Sequence, residues 1–308
     1  MESAKKHVLR KGVGLLLVLP WLGACGGARS SVFDEEGAAL SGPVSPEAKA
    51  RHDELVAKGD EAFAKRVETS ELQAAIDAWS EAVRLVPNDY QTYTKLARAQ
   101  YFMAYGHLEF DPAKEAAVKE TYWSSVQNAE RGLAAFSPEF AERVRTSGRF
   151  EAGLPVLDQR AVGLVYWRSA SLGRWARRDG FATVLRYKDE IRESMRRCLE
   201  LDRDYFFGGP DRYFGAFYAV APPYAGGDLE KSKQHFEYSI SRFPGYFGTH
   251  VLYAVEYAVK AQDRALFLRE LQWVLDNDPN MLPEAAPENI IEQRKAREHI
   301  ARVDELFE

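Results

Sequence analysis

The chain has 308 residues, 46% of them hydrophobic and 28% charged, with a net charge of −5. This is enough apolar material for one large core or two modest ones. The mild acidity, and the lack of a basic run interleaved with aromatics after residue 11, exclude a nucleic-acid footprint, so no nucleic-acid partner is expected.

Lys5, Lys6, Arg10 and Lys11 form a positive start, and the apolar run from Val13 to Leu22 is about half the length of a membrane-spanning helix. This predicts an export signal over residues 1–24. The run ends in Leu22-Gly23-Ala24-Cys25, which resembles the lipobox of bacterial lipoproteins, whose cysteine is acylated and becomes the new N-terminus. Cys25 is therefore expected to be lipidated and to hold the protein at a membrane. The resemblance implies the periplasmic face of a bacterial membrane. Gly26, standing where an aspartate would retain the protein at the inner membrane, favours the outer one. Removal of residues 1–24 leaves 37 basic and 45 acidic residues, a charge of −8. Acylation of Cys25 leaves Cys198 alone, so no intrachain disulfide is expected, and Cys198 reads as a small core thiol. Residues 25–46 are small, polar and aperiodic, which predicts a flexible lipidated tether, with the folded domain spanning 47–308.

The folded part shows helical spacing throughout. One pattern recurs: apolar or small residues at 0, +4 and +7, then a proline at +12. It reads Ala75, Trp79, Ala82, Pro87; then Ser232, Phe236, Ser239, Pro244; then Phe267, Leu271, Val274, Pro279. Ile191, Met195 and Cys198 make a looser copy, with Arg203 in place of the proline. Positions 0, +4 and +7 share one helix face, and the proline ends the helix. Matching first helices follow, with Tyr93, Leu96, Ala97 and Tyr101 after Pro87, and His250, Tyr253, Ala254 and Tyr257 after Pro244. This spacing is similar to that of tetratricopeptide repeats. The predicted fold is all-α, a superhelix of TPR-like helical hairpins. Residues 107–180 diverge, and the insertion "EAGLPVLDQ" predicts a lengthened hairpin. From Pro287 a charged amphipathic helix is predicted to cap the array, one face buried and the other wet.

Between two of these signatures lies "FFGGPDRYFGAFYAVAPPYAGGDLEKS", residues 206–232. Gly208-Gly209 breaks the preceding hairpin and Pro210 suits a helix's first position. Gly215 marks a close helix contact, Pro222-Pro223 ends the helix, and Asp228 caps the next one. Neither a P-loop nor a dinucleotide fingerprint fits, because Glu230 precedes Lys231 and no strand leads in. No cofactor is expected.

The run "GGPDRYFGAFYAVAPPYAGGDLEKSKQHFE", followed by "VLYAVEYAVKAQDRALF" and "LPEAAPENIIEQRKA", resembles the T component of periplasmic TRAP transporters. The resemblance implies a helical lipoprotein that pairs with a TRAP-type periplasmic solute-binding protein. It also implies a pore between helices for a small hydrophobic or organic-acid ligand. Among the residues in the matching region, Arg212 stands beside Tyr213, Phe217 and Tyr218 and could meet a ligand carboxylate, or could pair with Asp211 or Asp228. Tyr253 and Tyr257 could line the same pore, or belong to the core as repeat positions. On this reading Arg212→Ala weakens an acid ligand and spares the fold. Asp263 is expected to be a helix N-cap. The competing reading is a general TPR lipoprotein scaffold for envelope assembly, of the pilotin or outer-membrane insertion type. Whether copies of the chain form a homo-oligomer is left open.

Histidines at 7, 52, 107, 235, 250 and 299 form no His-Glu-x-x-His pair, and no Gly-x-Ser-x-Gly elbow occurs. The sequence therefore predicts no metal site and no catalytic residues, and a binding protein rather than an enzyme.

Overall fold

Ser45 opens the helical part of the computed structural model, which describes residues 32–34 and 44–307. Its hydroxyl accepts the Ala48 amide at the start of α1 (Pro46–Ala64), with Pro46 in the first turn, where its missing N–H costs nothing. Next come α2 (Thr69–Leu85), α3 (Tyr90–Met103), α4 (Glu115–Phe136) and α5 (Pro138–Ser147). Then follow α6 (Val162–Asp179), α7 (Phe181–Leu201), α8 (Tyr205–Val220) and α9 (Leu229–Arg242). The chain closes with α10 (Phe247–Leu252), α11 (Arg264–Asp276), α12 (Ala286–Ile300) and α13 (Val303–Leu306). Among the described residues there is no strand, so the fold is all-α, and no helix is long and apolar enough to cross a membrane.

Helices consecutive along the chain pack on one another as hairpins: α1 on α2, α3 on α4, α6 on α7, and α8 on α9. The repeat positions explain why. Ala75, Trp79 and Ala82 of α2 are buried, as are Ile191, Met195 and Cys198 of α7, Ser232, Phe236 and Ser239 of α9, and Phe267, Leu271 and Val274 of α11. Pro87, Pro244 and Pro279 each follow the end of such a helix. Gly215 is required by this packing: a Cβ there would lie 2.7 Å from the Phe236 ring, while the glycine carbonyl accepts the Ser232 hydroxyl at 2.7 Å. Asp228 accepts the Glu230 and Lys231 amides, and Asp263 accepts the Leu266 amide, so both serve as N-caps. Cys198 is buried in the apolar core, which pushes its thiol pKa up.

The divergent stretch lengthens the α4–α6 hairpin with α5 and three short 3₁₀ turns between Phe150 and Ala161. This insertion also changes the expectation for the tether. Within the segment predicted to be flexible, Val32–Asp34 forms a 3₁₀ turn, and Phe33 docks between Phe140 and Phe150 with ring centroids 5.7 and 6.3 Å away. The Val32 amide donates to Glu130 Oε2 at 3.2 Å. Burial of one aromatic ring outweighs the polar character of its neighbours.

Two helices continue as π-helical turns, α3 into Ala104–Leu108 and α10 into Tyr253–Ala258. A π turn admits an extra residue and shifts the faces that follow it. Helix α12 packs on α10 and α11 as a cap would, but its buried face carries the acids Glu288 and Glu292 and the amide Asn289 beside Ile291 and Ala296. It also reaches back to the first hairpins. Arg66, in the α1–α2 turn, donates from Nε and Nη2 to the two oxygens of Glu288 at 3.1 and 2.6 Å, and Arg98 of α3 donates to Oε1 at 2.8 Å.

Candidate ligand-binding site

A cavity of about 150 Å³ lies among α3, α6, α8 and α12, walled by Tyr101, Tyr105, Tyr166, Trp167, Phe206 and Tyr246. The rings close on one another in tilted and edge-on pairs. Trp167 lies 5.3 Å from Tyr101 and 4.6 Å from Phe206, and Phe206 lies 5.4 Å from Tyr246. A second cavity of about 270 Å³ adjoins it and shares Tyr105, Arg174, Leu252 and Glu256 as lining. The π turns supply Tyr105 to both cavities on one side and Glu256 on the other.

The Phe206 wall depends on an unusual backbone. Phe206, Phe207 and Gly208 take left-handed dihedrals, with φ of 47, 58 and 69°. A left-handed conformation costs an L-residue about 1–2 kcal/mol, so the two phenylalanines must be held there. Arg212 holds them. Its Nη1 donates to Phe207 O at 2.8 Å and to Thr249 Oγ1 at 3.3 Å, and its Nη2 donates to Phe206 O at 3.0 Å and to Tyr166 Oη at 3.3 Å. The guanidinium also sits 4.4 Å from the Tyr246 ring centroid. Pro210 stands two residues after Gly208, in the first turn of right-handed helix, as expected for it.

The charges around the cavities are unevenly satisfied. Arg177 pairs with Glu256 at 3.0 Å. Glu109, on the wall of the second cavity, accepts Tyr122 Oη at 2.6 Å and meets Arg178 at 3.0 Å and Lys295 at 3.3 Å. Glu292 is 2% exposed and accepts the Tyr105 hydroxyl at 2.8 Å on Oε1, whereas its Oε2 has no hydrogen-bond partner. Burial raises its pKa against the opposing pull of Lys295. Lys295 lies 3.0 Å from the Tyr105 ring centroid, and burial lowers its pKa to about 8 against the raising effect of Glu109. Arg174, with its guanidinium 4.7 Å from the same ring, makes no ion pair with a carboxylate among the described residues.

Glu109 gives this cluster an acid limb. Burial would raise its pKa, but the charges of Arg174 and Lys295 and the Tyr122 bond outweigh that and lower it from 4.5 to about 2. A depressed carboxylate contributes stability above its unfolded value, and the contribution is lost as pH falls from about 4.5 toward 2. Urea midpoints taken between pH 5 and 2 should fall less steeply in Glu109→Gln than in the parent. Parallel curves would show that Glu109 titrates alike folded and unfolded.

Of the residues expected around a pore, the structure brings Arg212 and Tyr213 to the first cavity. Phe217 and Tyr218 lie elsewhere, Phe217 stacked on Tyr213 at 6.2 Å and Tyr218 on His235 at 5.6 Å. Tyr253 packs against Phe236 at 5.2 Å and Tyr257 at 5.0 Å, within the C-terminal core. The π turn beginning at Tyr253 places these two tyrosines on the core side, away from the cavity lining. Arg212 pairs with neither Asp211 nor Asp228; Asp211 is taken by Arg203 and His235. Cys25 lies outside the described residues.

The sequence reading missed Arg174, Glu292 and most of the aromatic wall. One signal was available for Glu292: Glu288, Glu292 and Lys295 repeat the 0, +4, +7 spacing of the packing positions elsewhere. Among the described residues no cluster of His, Cys, Asp or Glu suits a metal ion.

The family model described as TRAP transporter T-component matches residues 109–307. The chain belongs to that family. The matched region takes in every helix from α4 to α13, including the arginines, the left-handed turn and the buried acids of the cavity. A search of curated proteins gives no match. As a T-component, the protein is an accessory of a bacterial envelope transport system.

Proposed function

We propose that this T-component is a lipid-anchored periplasmic subunit that binds the solute-binding protein of its TRAP system and takes a small organic ligand bearing an acid group into the interhelical cavity. The observation that carries the ligand part is the aromatic cavity itself. A space of about 150 Å³ among these rings leaves unmade the dispersion contacts that a filled core would keep, and its wall presents Arg174, which makes no direct ion pair with a carboxylate among the described residues. The acid-recognising role that Arg212 suggested in the sequence passes to Arg174, because the terminal N–H groups of Arg212 are occupied by protein oxygens. The anchor rests on the lipobox at Leu22–Cys25.

The test separates anchor from partner. Full-length protein expressed in its own host should fractionate with membranes, and Cys25→Ser should move it to the soluble periplasmic fraction. Either form, captured from periplasm, should bring down the solute-binding protein encoded beside it. Cys25→Ser remaining in the membrane pellet refutes the anchor. Capture of secretion or assembly components without the solute-binding protein refutes the transport reading in favour of an assembly scaffold.

A further inference from the structure

The stretch between Cys25 and α1 is caught partway by the domain. Phe33 is 5% exposed, its ring held in a slot between Phe140 of α5 and Phe150 of the turn that follows. Gly153 lets Phe140 pack this closely, since a Cβ there would lie 2.5 Å from its ring. Beside the slot the Val32 amide donates to Glu130, which is 2% exposed and accepts Arg168 Nε at 2.9 Å. The Arg168 guanidinium in turn lies 3.4 Å from the Phe150 ring centroid. A ring contact and a bond to a carboxylate thus hold the same two residues.

Chain length turns this dock into a constraint. Val32 stands seven residues after Cys25, so in any conformation it stays within about 25 Å of the acylated residue. Were Phe33 free, the first held residue would be Ser45, twenty residues from Cys25, and the reach would be about 70 Å. Resting on the lipid anchor proposed above, we propose that Phe33 holds the domain close against the lipid surface, with the α5 face toward the bilayer. That face suits a headgroup layer. Arg143, Arg145 and Arg149 are exposed on it and pair with Glu139, Glu142 and Glu151. Among the described residues, no large exposed apolar side chain lies between Pro138 and Ala161. The acyl chains on Cys25 therefore enter the membrane while this face rests on its surface.

The test places the acylated full-length mature protein on vesicles of phosphatidylethanolamine and phosphatidylglycerol and reads energy transfer to a headgroup acceptor. A fluorophore goes on Thr146→Cys of α5 or on Lys260→Cys, both exposed positions, and spares the buried Cys198. Helix α5 packs on α4 and the 3₁₀ turns, whereas the π turn before Lys260 packs on α8, α9 and α11. Transfer from Thr146→Cys should exceed that from Lys260→Cys by about twofold or more, and a Gly-Ser insert of about 20 residues after Arg29 should bring the two toward equality. The same insert after Gly37 lies beyond the dock and should leave the difference intact. Phe33→Ser should act as the first insert does, and should it disturb the fold, the pair of inserts still decides. Equal transfer from the two sites in the parent, or inserts that act alike, overturns the dock and leaves the anchor standing. A parent that carries no lipid and stays off the vesicles overturns both.

Discussion

Glu288→Ala should cost the fold about 3–5 kcal/mol, a drop of roughly 10 °C in melting temperature for a domain of this size. Glu288 is 6% exposed, and so is Arg66, whose guanidinium grips both carboxylate oxygens. Arg66 and Arg98 also lie on the Phe63 ring, at 4.6 and 5.1 Å from its centroid. Removing the carboxylate leaves Arg66 buried with only the Phe63 and Glu284 carbonyls for company. The loss is large because a buried charge loses its counter-ion, not because the pair is intrinsically strong. Glu237→Ala, which removes an exposed partner 3.9 Å from Lys233, should change stability by no more than about 0.5 kcal/mol. Paired thermal melts of the two variants give the comparison. A Glu288→Ala loss under about 1 kcal/mol would mean that water reaches Arg66.

Arg212→Ala should cost about 2–4 kcal/mol, the reverse of the fold-sparing change the sequence suggested. The arginine bonds the carbonyls of both left-handed phenylalanines. Without it these carbonyls lose charged donors, and nothing offsets the steric cost of the turn. Arg212→Lys should recover little, since a single ammonium cannot reproduce a fork that meets two carbonyls, a threonine and a tyrosine. Denaturant unfolding reads the loss directly. Parent-like stability in Arg212→Ala would show that the turn is held by its aromatic contacts alone.

The hairpins could be read from the sequence because their information is local. Ala75, Trp79 and Ala82 define a buried stripe within two turns of one helix, and the proline that ends the helix lies five residues on. The caps at Asp228 and Asp263 are equally local. The cavity wall is not. Tyr101, Tyr166, Phe206 and Tyr246 come from four separate segments, and no spacing within any one segment relates them. Charge misled in α12, where Glu288, Glu292 and Lys295 occupy packing positions but suggest a wet face because such residues are seldom buried. The three left-handed residues also escaped notice, since a glycine pair looks like a simple break whether or not two phenylalanines share its handedness.

A linear array held by neighbour contacts frays one hairpin at a time from either end. Here Arg66, Arg98, Tyr105 and Glu109 bind α12 across sequence separations of 222, 190, 187 and 186 residues. Such bonds can form only once the intervening chain has brought its two ends together, which carries a loop-closure entropy cost. Once made, the bonds couple the two ends: in hydrogen exchange the amides of the first hairpin and of α12 should open together rather than by separate fraying.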